Sequence, residues 1–139
     1  MKLLKTIIIK ISVILLSSCD PGDIRLKIVN DTNYKISPFE ILNSKDSLEN
    51  HFEVYKENYI KPKDTLSLFR RGSNGWLNAL ENAESKTLKI FIYLTDSLTV
   101  YQYRYKTMDS LVKSNTYRTL IKLNKKQLDS CNWIITVKN

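Results

Sequence analysis

The sequence predicts an all-β domain: an antiparallel β-sandwich, immunoglobulin-like or a relative of it, with one to three short helices. Three observations carry this prediction. Apolar and polar residues alternate with a period of two in several short runs, as in strands with one buried face. Clusters of Asp, Asn, Pro and Gly punctuate those runs. No long stretch has the 3.6-residue period that the crossover helices of a doubly wound fold require. The chain has 139 residues, which suits one domain better than two.

Residues 24–30 alternate cleanly, with Ile24, Leu26 and Ile28 on one face and Arg25 and Lys27 on the other. Asp31-Thr32-Asn33 is a turn, and residues 34–39 resume an extended run, so the pair reads as a hairpin. Residues 42–57 lack a period and read as a long loop with a short edge strand near 52–55. Pro62-Lys63-Asp64 turns the chain into a strand over residues 65–70, with Leu66 and Leu68 on one face. Trp76, Leu80 and Ala83 recur at spacings of four and three, a two-turn helix that lays Trp76 on the sheet. Residues 87–94 are the strongest strand. Leu88, Ile90, Ile92 and Leu94 share one face, Phe91 and Tyr93 occupy the other, and the strand reads as central.

Residues 99–105 alternate again, placing Thr99, Tyr101, Tyr103 and Tyr105 on one strand face. A short helix follows near Met108, Leu111 and Val112, then a strand over residues 117–123. Asn124 is an N-cap, with Gln127 completing a capping box and Leu123 and Leu128 forming a hydrophobic staple. A last strand covers residues 133–137. About seven strands without long helices between them predict the sandwich.

The N-terminus reads as an address. Met1 to Lys5 is short and basic, Thr6 to Leu16 is mostly apolar, and two small residues precede Cys19. This is the layout of a bacterial secretory signal. Lys10 interrupts the apolar run, which is too short to span a bilayer, since spanning needs about 20 apolar residues. Leu16-Ser17-Ser18-Cys19 resembles the lipobox of bacterial lipoproteins. The resemblance implies cleavage before Cys19, lipidation of its sulfur and acylation of the new amine. The chain then divides into a signal peptide (1–18), a lipidated tether (19–23) and a single β-rich domain (24–139). The expected location is the cell envelope, at the outer membrane. Cys131 is left as the sole thiol, so no intramolecular disulfide forms, and it reads as structural.

The C-terminal region carries a second likeness. Residues 117–123, the capped helix from Asn124, and Asn132-Trp133-Ile134-Ile135 resemble small lipoproteins of the Bacteroides group. Residues 88–94 with Asp96 resemble the same family, although this chain ends Thr136-Val137-Lys138-Asn139 where many members end in Tyr-Pro. Cys131 also stands where the family often has an apolar residue. The resemblance implies a location and carries no activity.

Chemistry is sparse. One His and two Cys exclude conventional zinc fingers, iron–sulfur ligation and a His-based metal cluster, so no cofactor or metal is expected. His51 lies near Ser47, Glu49 and Glu53 in no recognised catalytic spacing, and reads as an exposed loop residue. Glu81 and Glu84 solvate a helix, and Gly72 and Gly75 lack the phosphate-loop pattern. The net charge is +8, and three lysines of the leader leave with it. Export makes nucleic acid an improbable partner. Arg70-Arg71 with Lys61 and Lys63, and Lys122 with Lys125-Lys126, suit anionic headgroups or acidic polysaccharide. Tyr101, Tyr103, Arg104 and Tyr105 form the candidate binding face. The expected function is a lipid-anchored binding or accessory envelope domain, with membrane lipid through Cys19 and an envelope protein or glycan as partners. The alternative is a small enzyme or inhibitor acting on envelope glycan.

Overall fold

The computed structural model describes residues 21–43, 56–105 and 107–139. His51, Cys19 and the strand expected near 52–55 lie outside them. In chain order the elements are β1 (Lys27–Asp31), β2 (Ile36–Ile41), β3 (Thr65–Ser67), α1 (Gly75–Asn82), β4 (Thr87–Leu94), α2 (Thr95–Arg104), α3 (Met108–Lys113), β5 (Thr119–Asn124), α4 (Lys125–Ser130) and β6 (Ile134–Lys138).

The strands make two open three-stranded sheets, ordered β3-β1-β6 and β2-β4-β5. The fold is therefore mixed α/β, which corrects the all-β sandwich. The first sheet is not purely antiparallel either: β1 pairs parallel with β6, Lys27 opposite Ile134 and Asp31 opposite Lys138. Nor do β1 and β2 form a hairpin, because β2 pairs with β4 in the other sheet.

Asn30 explains the lost hairpin. Its side chain is fully buried, and its amide donates to the carbonyls of Tyr34 (2.7 Å), Ile60 (2.9 Å) and Lys61 (3.1 Å). Its Oδ1 accepts from the Thr32 amide at 3.0 Å and the Thr32 hydroxyl at 2.7 Å. The turn is thus sewn to the segment around Ile60, and Ile36 bridges Ile60 rather than β1. A buried amide with both ends satisfied fixes where the chain leaves the first sheet.

β4 has both faces covered, as its sequence predicts. Leu88, Ile90 and Ile92 face Leu26 just before β1 and Ile28, Ile135 and Val137 of the first sheet, with Trp76 and Leu80 of α1 and Leu128 of α4. Phe91 and Tyr93 face the opposite way into a second core with Phe39, Leu98, Met108 and Leu111. Helices α2 and α3 close that second core, and α2 replaces the strand expected over residues 99–105. The tyrosine run alternates, but Leu98, Tyr101 and Tyr105 also repeat at three and four, the helical period. Packing decides between the two patterns: Leu98 is fully buried, and Tyr101 meets Tyr93 edge-on at 6.4 Å between ring centroids. Asp96 in the first turn and Arg104 in the last suit the helix dipole.

Helix α1 begins without help from its own N-cap, since the Asn74 side chain makes no capping bond. A distant carboxylate supplies it instead. Asp23, 4% exposed, accepts from the Trp76 amide at 3.0 Å through Oδ2 and from Arg25 Nε at 2.8 Å through Oδ1. Its backbone also bridges Arg70, with both amides hydrogen-bonded to the opposite carbonyls. The capping box of α4 forms as the sequence predicts. The Gln127 amide donates to Asn124 Oδ1 at 3.0 Å, and the Asn124 amide donates to Gln127 Oε1 at 2.9 Å.

Candidate functional site

The side chains expected to share a binding face are divided by α2. Tyr101 and Tyr105 pack against the second core and meet each other edge-on at 5.9 Å between centroids. Tyr103 points the other way and is 85% exposed. Arg104 is exposed and lies over the Tyr105 ring at 5.7 Å. Tyr101 lines a cavity of about 250 Å³, bounded also by Leu94, Ser97, Thr116 and Arg118. Cys19, the expected lipidation site, lies outside the described residues.

A larger groove, about 310 Å³, opens between the edges of the two sheets. One wall is β2, the last strand in the order of the second sheet, through Pro38 and Glu40. The other is β3 and the residues after it, through Leu66, Ser67, Leu68 and Phe69, with Asn58 at the side. The geometry follows from strand alternation. Ile36, Pro38 and Glu40 share the β2 face turned toward the first sheet, whereas Ser37, Phe39 and Ile41 face the helices. Ile36 is sealed in the core. Two and four residues further on, the same face meets the place where the sheets part.

Glu40 is therefore a carboxylate set into an apolar seam. Burial pushes its pKa above the ordinary 4.5, while its own backbone amide and the charge of Arg70 work against the rise. Among the described residues, no other residue donates a hydrogen bond to that carboxylate. Pro38 has no amide proton, so this edge cannot offer a complete ladder to an added strand. A ligand here would be read through side chains: a carboxylate, the Ser67 hydroxyl, the Asn58 amide and the 66%-exposed ring of Phe69. Sequence reasoning passed over this groove. Its one available signal was an acid on the same strand face as Ile36.

Among the described residues no three His, Cys, Asp or Glu side chains gather to hold a metal. Cys131 is half-buried, and its thiol donates to the Leu128 carbonyl at 3.3 Å. No helix among the described residues is long and apolar enough to cross a membrane. No protein-family model matches the chain, and neither a curated protein nor a solved structure matches it.

Proposed function

We propose that this chain is a lipid-anchored envelope domain, held to the membrane through Cys19, that works by binding a partner in the groove between β2 and β3. The observation that carries the binding half is Glu40, an acid held in a concave apolar seam with polar groups around it. Desolvating a carboxylate costs stability, and concave sites with a few convergent polar groups are where ligands are recognised. The anchoring half is supported by the basic start, the apolar run and Leu16-Ser17-Ser18-Cys19.

The test is crosslinking and affinity capture from native membranes, alongside a glycan array. The intact protein is compared with Glu40→Lys and Ser67→Trp, each first shown to be folded. A protein or glycan bound by the native chain and lost with both variants is the expected result. A partner retained by both, or no ligand in either format, contradicts the groove as the binding site.

A further inference from the structure

The groove has a neighbour that the anchor brings to the membrane. The Phe69 ring lies directly on Gly22: a β-carbon built at Gly22 would stand 1.8 Å from ring atom Cε2. Gly22 is three residues from Cys19. Three extended residues reach about 11 Å. A folded domain of this size is about 35 Å across. A leash that short relative to the body it holds cannot let the far side swing round. With Cys19 lipidated, Gly22 stays within about 11 Å of the anchored residue.

The end of the domain bearing Gly22 is built for a membrane surface. Phe69 is 66% exposed and Ile24 is 57% exposed, two large apolar side chains in water. They flank the Asp23–Arg70 bridge, Ile24 just after one partner and Phe69 just before the other. The register slips by one residue between this bridge and the Leu26–Leu68 hydrogen bond, a bulge of the kind that re-aims side chains. Arg71 follows, exposed, and Arg70 stacks on Trp76 at 4.6 Å. Among the described residues, Glu40 lines the adjoining groove, and Asp23 is consumed by Arg25 and α1. Aromatic rings beside arginine suit the headgroup layer, where apolar bodies bury and guanidinium groups meet phosphate.

We infer that the end of the domain bearing Gly22, Ile24 and Phe69 rests on the anchoring bilayer, with the two apolar side chains in the headgroup layer and Arg71 among anionic headgroups. This rests on lipidation of Cys19, the reading proposed above. One wall of the β2–β3 groove is Phe69, so the groove opens at the level of the headgroups.

The test uses the full lipidated chain, purified from membranes and reconstituted into phosphatidylcholine vesicles containing phosphatidylglycerol. Phe69→Trp, Ile24→Trp and Tyr103→Trp are compared in vesicles whose lipids carry bromine high on the acyl chain. The wild type supplies the background of Trp76 and Trp133, both buried. The expected result is excess quenching at positions 69 and 24 at least about threefold greater than at 103, the depth expected of an interfacial side chain. Ile24→Trp reports the same face if Phe69→Trp fails to fold. Equal quenching at all three positions, or none at 69 and 24, overturns the inference while leaving the anchor intact. Intact mass keeps the two apart, because a chain without lipid on Cys19 brings down both.

Discussion

At the scale of single residues, buried polar groups hold this fold in register. Asp23 is the clearest. Burial opposes its charge, but hydrogen bonds from the Arg25 side chain and from the Trp76 and Arg25 amides outweigh that penalty and hold its pKa below the ordinary 3.8. Its contribution is therefore complete above that ordinary value and is lost as pH falls through the depressed one. Asp23→Ala strips α1 of its cap and leaves Arg25 without its acid. We expect a loss of about 3 kcal/mol at pH 7 in urea melts, shrinking toward zero in strong acid. A loss that stays constant with pH would show that the cap is not ionic. Tyr93 is the opposite case. Its hydroxyl is buried without a hydrogen-bond partner among the described residues, and burial, followed by the nearby Tyr101, Tyr117 and Tyr105 hydroxyls, pushes its pKa up. Tyr93→Phe removes that orphan, so it should stabilise the domain by about 1 kcal/mol. A destabilised Tyr93→Phe would mean the hydroxyl does have a partner.

At the scale of elements, local chemistry was legible and pairing was not. The Asn124–Gln127 box needs four consecutive residues and no tertiary information, and it forms as read. Asn124→Ala should cost about 1 kcal/mol, and adding Gln127→Ala should deepen the loss by less than Gln127→Ala costs alone, because both bonds of the box hold the same turn. Additive losses in that double-mutant cycle would contradict a reciprocal box. The run over residues 99–105 failed for the converse reason. Alternating tyrosines fit a strand, Leu98, Tyr101 and Tyr105 fit a helix, and only the hydrophobic space above Tyr93 and Phe39 selects one. The β1–β2 turn was likewise visible as polar residues. What the turn does depends on three carbonyls that Asn30 reaches, two of them about thirty residues away. The groove was hidden in the same way, since its walls come from two sheets whose edges meet only after folding.

At the scale of the whole molecule, β4 ties two cores together. One holds both tryptophans, and the other is lined by Tyr93, Tyr101, Tyr105 and Tyr117. The tryptophans therefore report on the first core, and four of the eight tyrosines line the second. Because the two faces of one strand build both, neither core can melt alone. Tryptophan and tyrosine signals should follow a single transition in denaturant, and separated midpoints would show two independent units. The proposed anchor would give this arrangement a direction, with the groove and Phe69 at the membrane end; α2 covers the outer face of the second sheet. That direction, and the function proposed with it, depend on Cys19. The most direct measurement is the intact mass and N-terminal sequence of the protein extracted from membranes. The account predicts a chain that begins at Cys19 and carries a diacylglyceryl group on its sulfur. A chain that keeps Met1, or one that bears an unmodified Cys19, would contradict it.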